Sequence, residues 1–303
     1  IRIPSAACGL VGLKPTRART PLGPNKSEGW SGLSCGHVVS RSLRDSALLL
    51  DLTQGAEPGA AYWPPKPEDS YVSELKREPG RLRIAVISRS PLGASVHQDN
   101  LDALANARKL LDSLGHEVFD AELPADFQRY MDSFGVLSFV GVCSTIRDRA
   151  RELGHEPGPD DLEPIVYGFY QQGGSISALD YESARQAVQR LGFAISRFME
   201  NIDVLLMPMA ARAPWKVDDI VLTMEKDVFY REALGYSDFS AIFNCTGQPA
   251  ITLPLTVNAA GIPVGTHFAA RYGDEKTLIR LAAQIEQAAP WQQRVSPMLA
   301  KAL

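Results

Sequence analysis

Apolar positions fall into two kinds of pattern along this chain. At helical spacing, Leu43, Ala47 and Leu50 mark a helix over about Ser42–Thr53, with Ser42 as its cap. Leu101, Leu104, Ala105, Leu110 and Leu111 mark another over about Val96–Leu114, ended by Gly115. Leu278, Leu281, Ala282 and Ile285 mark a last one over Asp274–Ala288. Short, β-branched or solidly apolar runs predict strands at Val11–Leu13, Arg81–Ile87, His116–Leu123, Asp203–Ala210 (stopping at Pro208), Ile251–Val257 and Gly265–Tyr272. From Pro124 to Ile202 the pattern breaks into three helices, about Phe127–Leu153, Asp160–Gln171 and Ser177–Asn201. Gly154, Pro157 and Gly158 separate the first pair, and Gly173-Gly174 the second. Tyr236–Phe243 is also read as helical.

Three stretches read as loops. They are Thr20–Gly36, the linker-like Gln54–Pro79 with Tyr62-Trp63-Pro64-Pro65, and Ala211–Val217. The strand–helix–strand unit over Arg81–Leu123 favours a parallel pair. The turn after its first strand, Ser88–Gly93, holds a single glycine, so a dinucleotide site is unsupported.

The opening segment, IRIPSAACGLVGLKPT, stands apart. Small residues (Ser5, Ala6, Ala7, Cys8, Gly9, Gly12) alternate with branched ones, and Arg2 and Lys14 interrupt it. Small residues permit close backbone approach. A cation in such a run needs a partner when buried.

Composition narrows the classes. The 303 residues suffice for one large or two medium domains, and 45% hydrophobic with 22% charged residues is ordinary for a globular chain. A net charge of −4 gives no reason to expect nucleic acid or an anionic membrane as partner. No apolar run reaches a membrane span. Cys8, Cys35, Cys143 and Cys245 show no CxxC spacing and read as reduced thiols of a cytoplasmic protein.

The opening segment, followed by Arg17-Ala18-Arg19, resembles the second part of the amidase signature, the motif of a family of serine hydrolases. Further likeness lies in the Asp203–Pro208 strand, in Asn244-Cys245-Thr246-Gly247-Gln248-Pro249-Ala250, in Gly261–Gly265 and in Pro290-Trp291. Thr20–Pro24 with Glu28-Gly29-Trp30, and Glu156–Pro164, are similar to the branch of bacterial amidases that contains 6-aminohexanoate-cyclic-dimer hydrolases. The resemblance implies an α/β fold, a mixed sheet flanked by helices. It implies residues 1–291 as the C-terminal portion of one amidase domain with a helical insertion over about 124–202, and 292–303 as a tail. It also implies hydrolysis of a linear or cyclic C–N amide by a Ser–cis-Ser–Lys acyl-enzyme mechanism, without metal or cofactor. All three catalytic residues would lie upstream of Ile1, leaving the fold incomplete at its N-terminus and this chain inactive alone. The family also contains the amidotransferase subunit of tRNA-charging complexes, so a non-catalytic or amidotransferase-type role stays open, as does a homodimer.

On this reading Ile1 and Arg2 support the nucleophile. Trp30 either covers core or borders the substrate pocket. Cys143, beside Gly141 and Ser144, is either a buried small hydrophobe or a lining of the acyl pocket. Within the chain itself the chemistry is sparse. There is no G-x-S-x-G elbow. His37, His97, His116, His155 and His267 are isolated, with no metal-binding spacing. His116 and His155 read as surface or capping groups and His267 as an ordinary strand residue. Lys14 is assigned a structural or charge-pairing role. Asp160, Asp161 and Glu163 read as an acidic helix start. Ser5 carries a hydroxyl that needs a partner, and Ala18 asks for a turn without positive φ.

Overall fold

The computed structural model describes residues 1–24, 26, 28–62, 64–124, 127–292 and 294. Trp63, and Gln293 and residues 295–303 of the expected tail, lie outside the described residues. Among the described residues seven strands form one mixed sheet: β1 (Val11–Lys14), β2 (Val39–Ser40), β3 (Arg83–Val86), β4 (Glu117–Asp120), β5 (Val204–Pro208), β6 (Ala250–Val257) and β7 (Pro263–Ala270). Their order is β2-β1-β6-β7-β5-β3-β4. β3 runs parallel to β4 and β5, as the strand–helix–strand unit requires, and the remaining pairs are antiparallel.

Alternation along the central strands builds a core on each face, because successive side chains point opposite ways. Ile84, Val86, Val204, Leu206, Phe268 and Ala270 join one core. Helices α2 (Leu43–Thr53), α4 (Gln98–Ser113) and α10 (Glu275–Ala288) cover it. Ala85, Leu205, Met207 and Ala269 join the other, beneath α5 (Gln128–Leu153), α7 (Ala178–Phe198) and α9 (Ala241–Thr246). Ser42 caps α2 by accepting from Asp45 N at 3.1 Å, and Asp274 caps α10.

Several expectations needed correction. The opening run forms a helix, α1 (Arg2–Cys8), before β1. Pro4 sits in its first turn, where its missing N–H is no loss, and Gly9 ends it at φ 66°. The expected linker holds a short helix, α3 (Tyr71–Glu74), capped by Ser70. Helix α6 (Pro164–Ser175) begins at Pro164, so Asp160 and Asp161 stand in the loop before it. There Asp161 accepts from Gly158 N at 2.7 Å. Gly173 and Gly174 lie inside α6, not between helices: a Cβ on Gly173 would collide with the Phe139 carbonyl of α5. Helix α8 (Lys226–Leu234), capped by Glu225, was not foreseen. Residues 236–240 form turns, and the helix expected there starts at Ala241.

Candidate active-site cavity

Helix α1 lies against the sheet because Gly265 of β7 has no side chain. A Cβ there would meet Ala6 and the Thr252 hydroxyl. Gly12 of β1 likewise admits Ser5. This close fit buries the whole of Arg2, which is 5% exposed. Its Nη1 donates to His267 Nε2 at 3.1 Å and its Nη2 to Asn244 Oδ1 at 2.6 Å. Neither partner is charged, so the guanidinium is held by hydrogen bonds without a carboxylate. Burial drives its pKa down to about 9. His267 is fully buried, and burial together with Arg2 and Lys14 holds its pKa well below the ordinary value. It is therefore a neutral acceptor, and its Nδ1 has no partner among the described residues. His267 is thus no ordinary strand residue.

Lys14, the last residue of β1, is 2% exposed. Its Nζ donates to the Pro15 carbonyl at 2.7 Å and stands 3.9 Å from Cys35 Sγ. Burial pushes its pKa down to about 8, with Arg2 and Arg17 acting in the same direction. Among the described residues Lys14 has no carboxylate partner; Cys35, and more weakly Glu275, act against the downward shift. Glu275 bonds instead to Arg19 and to Thr16 N at 2.8 Å, pinning the turn after β1 to α10.

Ile1, Arg2, Lys14, Trp30, Cys35 and Asn244 line a common cavity of about 220 Å³. Trp30, Ser31 and Gly32 all adopt positive φ, 50°, 56° and 83°. This uncommon backbone is clamped from two sides. Ser31 Oγ meets Tyr181 OH of α7 at 2.5 Å. The Trp30 indole sits where a Cβ on Gly141 of α5 would come within 2.5 Å. Arg17 ties the loop to α9, donating to the Gly32 carbonyl at 2.6 Å and the Cys245 carbonyl at 2.6 Å.

Of the residues singled out from sequence, Ile1, Arg2 and Trp30 come together here. Cys143 does not: it is buried at the α5–α6 crossing, against Gly173. Sequence reasoning passed over His267, Asn244 and Cys35 as site residues. Asn244 stands in a segment noted for its resemblance, which was a usable signal; nothing local marks the other two.

The remaining expectations sort themselves out. His116 is buried, not superficial: its Nδ1 accepts from Leu82 N at 3.1 Å. His155 is exposed and pairs with Asp161 at 3.0 Å. The Ser5 hydroxyl finds no partner among the described residues. Ala18 does sit at positive φ, 65°, as a glycine would more easily. Among the described residues no group of three or more His, Cys, Asp or Glu could hold a metal. None of their helices is long and apolar enough to cross a membrane.

Comparison with known proteins shows the family and the fold. The sequence model of the Amidase family matches residues 1–279. A 6-aminohexanoate-cyclic-dimer hydrolase of Paenarthrobacter ureafaciens is 30% identical over 310 residues, covering 99% of this chain and 63% of the relative. The putative amidase AmiB2 of Mycobacterium tuberculosis (strain ATCC 25618 / H37Rv) is 34% identical over 308 residues, covering 97% of this chain and 60% of the relative. A solved structure of 6-aminohexanoate cyclic dimer hydrolase superposes with a TM-score of 0.93 at 28% identity, over 99% of this chain and 64% of that one. The chain thus spans about three-fifths of the length of these relatives.

Proposed function

Because the chain belongs to the amidase family, we propose that the protein it comes from hydrolyses C–N amide bonds through an acyl-enzyme, and that these 303 residues supply the floor and one wall of that site. In this reading a serine nucleophile joins the chain directly before Ile1, with a cis-serine and a lysine further upstream. Amide hydrolysis needs an activated nucleophile, a proton carrier and donors for the oxyanion. The upstream segment supplies the first two. Arg2, held by His267 and Asn244, fixes the first turn of α1 and hence the direction in which the chain enters it.

The observation that carries this is the placement of Ile1. It is half-buried, lines a cavity together with Arg2 and Lys14, and stands at the foot of a helix packed on β6 and β7. Trp30 forms the wall that a substrate's acyl chain would lie against. Linear and cyclic amides of amino acids are the substrate class favoured by likeness to the cyclic-dimer hydrolases.

A fluorophosphonate probe, which labels activated serines, tests the reading. Expression from the natural reading frame, extended through the residues before Ile1, should give a labelled chain with the adduct on the serine adjoining Ile1. The 303-residue chain should stay unlabelled. Labelling of a serine within residues 1–303 would overturn the assignment.

A further inference from the structure

The cavity holds one thiol, which the proposed mechanism does not use. Cys35 is partly exposed into it, and Lys14 Nζ stands 3.9 Å from its sulfur. The other three thiols are placed differently. Cys8 is exposed on α1, and Cys143 and Cys245 are buried. Burial pushes the Cys245 thiol up to about 12.

We propose that Cys35 and Lys14 form a thiol–amine pair that captures acyl groups from activated esters, with the sulfur as nucleophile and the amine as base. The geometry supports each part. The turn that carries Cys35 is fixed by Leu33 N bonding to the Trp30 carbonyl at 3.1 Å and by Thr20 Oγ1 bonding to the Gly36 carbonyl at 2.6 Å. Lys14 keeps its bond to the Pro15 carbonyl whether charged or neutral, so the neutral amine can turn its lone pair on the thiol. The N···S separation is long, as base–nucleophile contacts often are before substrate binds. Arg2, Ser34 and Ser240 line the same cavity and carry donors for an oxyanion. Leu33 and Trp30 supply apolar wall for the acyl group.

The step balances without a cofactor. The thiol proton passes to Lys14 Nζ and the sulfur attacks the ester carbonyl, forming an S–C bond. The tetrahedral oxyanion collapses, the C–O bond to the leaving group breaks, and an aryloxide departs. A thioester remains on Cys35, and Lys14 returns its proton to solvent. The neutral amine is available because Lys14 sits near 8. Arg2 on α1 and Arg17 beyond β1 lower it, while Cys35 and Glu275 on α10 raise it. His267 on β7 is neutral.

The test uses the 303-residue chain with p-nitrophenyl acetate, read by nitrophenolate release and by intact and peptide mass. The expected result is a single acetyl per chain, on the peptide containing Cys35, at a rate that rises through about pH 8. Cys35→Ser should abolish the adduct. Lys14→Met should slow its formation about 100-fold while leaving it on Cys35. Cys8→Ser should change nothing. The pH profile of the unsubstituted chain needs no variant and so survives any loss of folding. An acetyl on Cys8 or on Lys14 itself, a rate indifferent to Lys14→Met in a folded variant, or no acetylation would each overturn the proposal. Because the readout is a thioester on Cys35, its failure is separate from any failure of the amide-hydrolysis reading.

Discussion

Arg2 Nη1 donates to His267 Nε2 across 3.1 Å, joining residues 265 positions apart in sequence. The bond locks α1 onto β7 and gives a buried cation a neutral partner. His267→Leu removes the acceptor and leaves the guanidinium short of one bond, which costs about 2–3 kcal/mol. His267→Gln restores a neutral acceptor and should recover most of that. Urea midpoints of the two variants check it.

The histidines also set an acid limit. His37 is driven down to about 4 by burial, and His267 is held well below 6.5. Both bind fewer protons in the folded chain than in the unfolded one. The stability these histidines contribute is therefore full above about pH 6.5 and falls as pH drops through the window beneath it, for His37 down to about 4. Unfolding midpoints measured from neutral to acid pH should fall across that window, and His267→Gln should flatten part of the slope.

Lys14 works in the same sense at higher pH. Its pKa falls from 10.5 unfolded to about 8 folded, so the chain loses stability as pH drops through that interval. The shift corresponds to roughly 3 kcal/mol, against about 1 kcal/mol for the bond to the Pro15 carbonyl. Lys14→Met should thus stabilise the fold at pH 7 by about 2 kcal/mol. Thermal unfolding of the variant checks the sign.

Gly141 illustrates packing overriding helix propensity. Gly141→Ala in a helix interior is favourable by about 1 kcal/mol on propensity alone. Here the new methyl would drive into the Trp30 indole, at 2.5 Å from Cδ1, and overpacking costs about 1–3 kcal/mol. A net loss of Tm, with a change in tryptophan emission, is the expected outcome.

Much of this molecule was legible in its sequence. The central strands, α2, α4, α5, α7 and α10 follow directly from spacing and caps, since both faces of the sheet are buried and demand unbroken apolar runs. Helix α1 was hidden because Arg2-Ile3-Pro4-Ser5 has no apolar period, and its fit to the sheet depends on Gly265, far away in the chain. The start of α6 was misjudged because Asp160 and Asp161 look like an N-terminal turn but serve the preceding loop. Arg2 was legible as a cation in need of partners. Those partners, His267 and Asn244, were not, since β7 and α9 bring them in by tertiary packing alone. The Lys14–Cys35 approach is of the same kind.

Amide turnover is the most direct measurement of the central claim. Release of amine from linear and cyclic amides should be undetectable for residues 1–303. It should emerge when the natural upstream residues are joined to Ile1, and vanish again when the serine before Ile1 is replaced by alanine. Turnover by residues 1–303 alone, or turnover that persists without that serine, would contradict the account.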